Sequence, residues 1–500
     1  MSRKRIISSN IKYNTLSQGI VFAVNLALFP FIVSHVGKEV YGMYLLVMAL
    51  TGYLGVLELG VTAAVTKYVA ELTAKGDKEG AKKIISASFS LFFVIGLIVA
   101  TALFILSFCF DHIFAVEAAN KIVMRQLFWV AAVASLFIWP GKIFTRVLEG
   151  FQRYDWLATI KIIEIVLIGA SAYLIFSRGL GIVFFLLLSY LFIILEYVGA
   201  YIIGRYHLLK SKIIFPYFNK EVFKTIFSFS FFLFLNNLVG IVIFNFDSFV
   251  IGAFVSVSAL TLYGVGFNLQ GGFRAVNSLL GGPLFPAGAD MEGRSEYDKQ
   301  KELLFKGTKY MTLVFVPLVI ITIIFARLFI NNWMGAGFTE SVLPAQVLIS
   351  FWLFNNIIEV GTGLLTAKGH VKVLFKISAL NALLNLGLSL ILVRPLGILG
   401  VVLGTTIPMV LVGFPLVLHQ ILKVLKVSLQ EFFSLAIKKN LLVYLSTVIL
   451  SVLALEIFQP ANIFLTIFEM GMIYAIVILV GFRFFLSAEE RKEMLFMIKP

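Results

Sequence analysis

The sequence predicts an all-α integral membrane protein: about fourteen transmembrane helices in two pseudo-symmetric six-helix lobes, with two extra helices at the C-terminus. Three observations predict it. Hydrophobic residues make up 60% of the 500 and charged residues only 13%, with a mean hydropathy of +0.99. Apolar runs of about 20 residues, the length that crosses a hydrocarbon core of about 30 Å as a helix, recur along the chain. Several short strings recur at offsets that agree to within a few residues.

A soluble domain is roughly 45–50% apolar and about 25% charged. Half that charge cannot cover 500 residues in water, which excludes a soluble enzyme, a disordered chain and a nucleic-acid-binding domain. The net charge of +15 therefore needs an explanation other than a nucleic acid partner. Cys109 is the single cysteine and the five histidines are scattered, so neither an intrachain disulfide nor a clustered metal site is expected. No G-x-x-x-x-G-K-[ST] string occurs; Gly141-Lys142 lacks the upstream glycine. No cofactor is expected.

In order, the first run, 13–34, follows Arg3-Lys4-Arg5 but is too long for a signal peptide and has no small-x-small site after it, so it reads as an uncleaved first span. Runs 41–66, 84–110 and 122–145 follow, the last containing Pro140. Runs 157–177 and 181–203 carry Glu164, three residues after Lys161, and Glu196 near the inner end. The second half opens with 223–252 and 260–286, then 309–330 around Pro317, 344–366, 374–393 and 397–421. Runs 440–458 and 462–486 complete the set. None alternates as barrel strands do. Prolines within or near spans could hinge them or simply kink them.

With the N-terminus placed in the cytoplasm, 35 of the 41 lysines and arginines fall on inside segments. Only Lys38, Lys121, Arg125, Arg178, Arg327 and Arg394 fall outside. Cytoplasmic loops of membrane proteins hold this excess of cations, so both termini are expected in the cytoplasm and the basic loops against anionic lipid. The outer loops are short, the longest near 111–121 and 331–343.

Val40-Tyr41-Gly42 recurs as Leu262-Tyr263-Gly264, Lys82-Lys83-Ile84-Ile85 as Lys301-Glu302-Leu303-Leu304, Gly150 as Gly369, and Leu180-Gly181-Ile182 as Leu396-Gly397-Ile398. The offsets run from 216 to 222. This predicts a duplication: an N-lobe over 1–215, a C-lobe over 216–425, and 426–500 as two appended spans with a cytoplasmic tail. Parallel repeats of this build enclose a cleft at which transporters bind their cargo.

The strings at the repeat boundaries carry a family resemblance. Val36-Gly37-Lys38-Glu39-Val40-Tyr41-Gly42-Met43-Tyr44 joins spans 1 and 2. Glu58-Leu59-Gly60-Val61-Thr62, Lys67-Tyr68-Val69-Ala70-Glu71 and Lys75-Gly76-Asp77 close span 2. Leu148-Glu149-Gly150-Phe151-Gln152-Arg153 follows span 4. Phe246-Asp247-Ser248 lies in span 7, and Pro395-Leu396-Gly397-Ile398-Leu399-Gly400 opens span 12. These resemble the polysaccharide flippases of O-antigen and teichoic-acid export in the MOP exporter superfamily, relatives of the MATE multidrug transporters and the lipid II flippases. Glu58 stands where relatives often have Asp. The resemblance implies a transporter, not an enzyme. It would move a polyprenyl-pyrophosphate-linked oligosaccharide from the cytoplasmic to the outer leaflet of the cell (plasma or inner) membrane by alternating access, with no ATP site.

Ionisable side chains inside hydrocarbon are costly and mark cavities or partners. Glu58, Glu164, Glu196, Asp247, Arg274 and Glu359 lie well within runs. Lys142 and Lys161 can snorkel inward. Glu164 is expected to pair locally with Lys161. Arg274, about 21 Å along its helix at 1.5 Å per residue, suits bidentate binding of a pyrophosphate, or a buried pair with Asp247. Asn25, Asn237 and Asn268, with neighbouring Asn236, Asn245, Gln270 and Asn277, suit sugar hydroxyls or serve as interhelical hydrogen bonds. Glu58 and Asp247 are candidates for coupling to H+ or Na+. A pyrophosphate with about two negative charges is favoured outward across an inside-negative membrane by roughly 4–5 kcal/mol per 100 mV. The alternative is an ion-coupled multidrug exporter of the MATE type, which needs cavity acids and has no need of Arg274. A glycan polymerase or ligase would need large outer loops bearing Arg and His.

Overall fold

The computed structural model describes residues 3–205, 214–281, 284–487 and 490–491, with side chains from Tyr13 onward apart from positions within 228–245 and 279–287 and Phe485. Lys210, Lys212 and Pro283, and the side chains of Asn236, Asn237 and Asn245, lie outside the described residues. Every regular element among the described residues is helical, as the uninterrupted apolar runs require.

The chain runs α1 (Arg3–Tyr53), α2 (Val61–Ala74), α3 (Lys78–Cys109), α4 (Lys121–Gly150), α5 (Tyr154–Ser177), α6 (Gly181–Ile203), α7 (Lys220–Phe254) and α8 (Val257–Gly281). It continues with α9 (Leu284–Gly293), α10 (Tyr297–Met334), α11 (Val342–Ala367), α12 (Val371–Pro408), α13 (Phe414–Leu425), α14 (Leu429–Phe432), α15 (Leu441–Ile457) and α16 (Ile463–Val480). Ten stretches of the described residues are long and apolar enough to cross a membrane. Large apolar side chains such as Ile457, Leu383 and Phe464 are exposed, a surface suited to acyl chains and not to water. The chain is a multi-pass membrane protein.

The helices start where polar side chains take up free N–H groups. The Asp77 carboxylate accepts from Gly80 N ahead of α3, and Asn219 Oδ1 accepts from Glu221 N and Val222 N ahead of α7. Two of the longest helices are bent by glycine. α1 breaks at Gly37 (φ 80°, ψ 170°) and α12 at Gly397 (φ 57°, ψ −131°), conformations that a Cβ disfavours. α1 also ends early. A tight 3-10 turn, Leu54–Glu58, and two left-handed residues, Leu59 and Gly60, separate it from α2. The apolar run 41–66, read as one span, is therefore discontinuous.

Contacts gather into two compact units, Met1–Thr261 and Leu262–Pro500, divided within α8. In the first, α3 packs along α4, α4 against α6, α1 against α5, and α7 against α1 and α2. Leu46, Phe92, Phe128 and Trp139 fill its core. In the second, α10 packs along α11, which also carries α9, α12 and α13. Leu304, Leu364 and Ile421 form one apolar cluster, and Leu313, Phe325, Val443 and Val477 another.

Left-handed residues recur at the sequence offset of the repeats. Ser295 follows Gly76 by 219 residues, Gly369 follows Gln152 by 217, and Gly397 follows Gly181 by 216, all with positive φ. The packing recurs too: α2 lies on α4, and α9 on α11.

The hairpin of α15 and α16 is fastened to α10 at both ends. Asn440 Nδ2 donates to Lys309 O and Thr312 Oγ1, and Asn332 Nδ2 donates to Pro460 O and Thr466 Oγ1. Lys309 Nζ, buried at 3% exposure, lies 2.7 Å from Glu490 Oε1 beyond the hairpin.

Candidate functional site

A polar cavity of about 310 Å³ opens within the first unit among α1, α4, α5, α6 and the 54–58 turn. Helical spacing explains its lining. On α4, Lys142, Arg146 and Glu149 stand at i, i+4 and i+7 and share one face; on α5, Tyr154, Leu157, Ala158 and Lys161 do the same. Asn14 and Ser17 come from α1, Glu58 from the turn, and Glu196 and Tyr197 from α6.

Close approach of α4 and α6 depends on Gly141. A Cβ there would lie 2.5 Å from Tyr197 Cδ2 and 2.9 Å from Tyr197 Cβ. A larger residue there forces Tyr197, the neighbour of Glu196 on the cavity wall, to shift.

The cavity is organised by ion pairs. Lys142 Nζ is 2.8 Å from Glu58 Oε1 and 4.4 Å from the Trp139 ring centroid. Arg146 pairs with Glu149, whose second oxygen accepts from Thr66 Oγ1 at 3.2 Å. The buried Arg146 Nε makes no hydrogen bond. Lys161 Nζ is shared: 2.5 Å from Glu164 Oε2 and 3.5 Å from Glu196 Oε2. The expected Lys161–Glu164 pair is thus present. Glu196, near the inner end of its run, is a cavity residue facing the same lysine. Three cations and three carboxylates share the wall, and each cation is held by at least one carboxylate.

Of the other expected residues, Glu58 lines the cavity; Asn25, Asp247, Asn268 and Arg274 do not. Asn25 is exposed on α1. Asp247 is buried at 1% exposure on α7, within electrostatic reach of Tyr53. Asn268 Nδ2 donates to Gly264 O of its own helix. Arg274 is exposed on α8, with its guanidinium carbon 5.9 Å from the Phe267 ring centroid. The side chain of Asn237 is outside the described residues. Sequence reasoning missed Arg146, whose charge also satisfies the rule for cytoplasmic loops, and Glu149, which fell in the string after span 4; their i, i+3 spacing on α4 was the available signal.

Residues 7–291, more than half of the chain, match the sequence profile of the family described as Polysaccharide biosynthesis protein. A protein of Shigella flexneri named as an O-antigen transporter is 22% identical over 413 residues, 81% of this chain and 95% of that protein. A second, from Salmonella typhi and named alike, is 21% identical over 302 residues, 58% of this chain and 66% of that protein. Among solved structures, a lipid II flippase MurJ in an inward closed conformation superposes with a TM-score of 0.71 at 16% identity, covering 94% of this chain and 98% of its own. An inward-facing multidrug resistance MATE transporter of the MOP superfamily gives 0.64 at 15% identity, over 82% and 95%. The chain belongs to the polysaccharide biosynthesis protein family, on the helical fold that lipid II flippase and multidrug transporters share.

Proposed function

We propose that this protein flips a lipid-linked oligosaccharide, joined to its polyprenyl lipid through a pyrophosphate, from the cytoplasmic to the outer leaflet by alternating access. The observation that carries this reading is the charged cavity of the first unit, with Lys142, Arg146 and Lys161 on its wall. At about 310 Å³ it is at the lower end of the roughly 300–1,000 Å³ of ligand pockets. It matches a diphosphate and its first sugar and not a whole glycolipid. The family and the O-antigen transporters that share its sequence support the same cargo. The protein works in the cell membrane with both termini cytoplasmic, which puts the cationic ends of the helices on the side where the lipid-linked precursor is made. Membrane lipids contact its outer faces. Arg274, Asn25, Asn237 and Asn268 contact the cargo at other stages of its path. Glu58 and Asp247 serve the coupling ion, H+ or Na+.

The carboxylates on the cavity wall, Glu58 and Glu196, favour a second reading, an ion-coupled exporter of organic cations. Proteoliposomes decide between them. Flipping predicts that a fluorescent polyprenyl-diphosphate oligosaccharide in the inner leaflet becomes accessible to a membrane-impermeant quencher, and that Arg146→Ala and Arg274→Ala slow this at least tenfold. Extrusion of ethidium with no movement of the glycolipid supports the second reading and overturns the first.

A further inference from the structure

The cavity holds more acid than base. Its wall presents Lys142, Arg146 and Lys161 against Glu58, Glu149 and Glu196, with Glu164 immediately behind at 4% exposure. Two of the cations have a carboxylate each. The third, Lys161, serves both: its Nζ is 2.5 Å from Glu164 Oε2 and 3.5 Å from Glu196 Oε2, so the two carboxylates face one ammonium. The ammonium between them offsets the repulsion of two carboxylates; without it, like charges this close do not both ionise.

The surroundings limit where a proton can go. α4 presents Lys142, Arg146 and Glu149, the 54–58 turn Glu58, and α6 Tyr197 beside Glu196. α5 contributes Tyr154 and Lys161, while α1 offers the neutral Asn14 and Ser17. Glu58 and Glu149 are each closed by a cation of their own. A diphosphate diester brings about two negative charges, and the ammonium it can recruit is the shared one. Once Lys161 turns to the phosphate, Glu164 and Glu196 have no cation between them.

We propose that diphosphate binding in this cavity is linked to uptake of one proton by the Glu164–Glu196 pair. This rests on the headgroup reading above and assigns the regulation of that site. The proton comes from solvent, enters one carboxylate oxygen of the pair, and leaves when the phosphate returns Lys161. No bond of the cargo breaks. By reciprocity, the diphosphate binds more tightly as pH falls.

The test uses the full-length protein in detergent and P1,P2-dimethyl diphosphate, a diester whose own charge stays fixed between about pH 5 and about pH 9. Calorimetry in buffers of different ionisation enthalpy counts the protons taken up. About one proton per diphosphate is expected, with affinity rising up to tenfold per pH unit of acidification. Glu196→Gln and Glu164→Gln, each isosteric, should bind with no proton uptake and no pH slope. Binding by the native protein with no proton uptake overturns the linkage and leaves the headgroup site standing. Failure to bind at any pH in that range overturns both. Proton uptake that persists in both glutamine variants places it elsewhere and overturns the assignment.

Discussion

Lys142 Nζ sits 2.8 Å from Glu58 Oε1, joining the middle of α4 to the turn that interrupts the chain between α1 and α2. The pair fixes a segment, 54–60, that has no continuous helical hydrogen bonding of its own. The same lysine stacks on Trp139, so its position is set from two sides.

Breaking the pair from one side leaves the other charge in a partly enclosed site. Both side chains are a quarter to a third exposed, so the cost is well below that of a fully buried pair. Lys142→Met should destabilise the protein by about 1–2 kcal/mol. Adding Glu58→Gln should recover most of that. Fluorescence-detected thermal unfolding of the two variants and the native protein checks both; a double variant as unstable as the single one would show that the pair is not what holds the turn.

Gly141→Ala should cost about 1–3 kcal/mol, the usual cost of overpacking, because the new methyl meets the Tyr197 side chain near its root. Tyr197→Ala in the same chain should relieve it. Thermal unfolding of the single and double variants reads the coupling.

Gly397→Ala places a Cβ on a residue at φ 57°, ψ −131°. Strain of about 1–3 kcal/mol is expected. Gly387→Ala, in the same helix with nothing within 4 Å of the added carbon, should be neutral or slightly stabilising. The comparison isolates the bend from helix propensity.

The Lys309–Glu490 contact predicts an acid limit. Burial alone raises the Glu490 carboxyl, but the Lys309 ammonium and the Ser487 backbone N–H outweigh it and hold the group below the usual carboxylate range. The unfolded chain then binds more protons than the folded one as pH falls, and acid favours unfolding. The stabilisation is complete above about pH 4.3, the ordinary glutamate value, and is lost as pH drops through the lower folded value. Melting temperature should fall more steeply with acid for the native protein than for Glu490→Gln, and the curves should converge at the acid end.

Each Asn that fastens the α15–α16 hairpin makes two hydrogen bonds, and those of Asn440 are fully buried. Asn440→Ala should cost about 1–3 kcal/mol, since Lys309 O and Thr312 Oγ1 lose their donor. Hydrogen exchange should rise in α15 and α16 before the core of α10 and α11.

Much of this architecture was legible because hydropathy reports contact with lipid. The run 181–203 coincides with α6, and 440–458 is within a residue or two of α15. Helix length was less legible. α10 starts at Tyr297, twelve residues before the apolar run at 309, because a helix leaves the membrane without losing its hydrogen bonds. The interruption at 54–60 was hidden inside an apolar segment, since Leu54, Val56, Leu57 and Leu59 are as greasy as a helix would be; Gly55 and Gly60 were the marks of it. The Lys161–Glu164 pair was readable from a spacing of three. Its third member, Glu196, arrives from another helix 35 residues on, and no local pattern announces such a partner.

The left-handed residues at Gly76, Gln152 and Gly181, matched by Ser295, Gly369 and Gly397, also constrain how the gene can change. One residue inserted into an α-helix rotates everything beyond it by about 100°, which would swing Lys142 or Lys161 off its shared face. Insertions and deletions within α4 or α5 are therefore barred, whereas the turns at the bends themselves can gain or lose a codon. Transposon scanning of the gene should recover viable in-frame insertions beside these corners and none in the helical stretches that line the cavity.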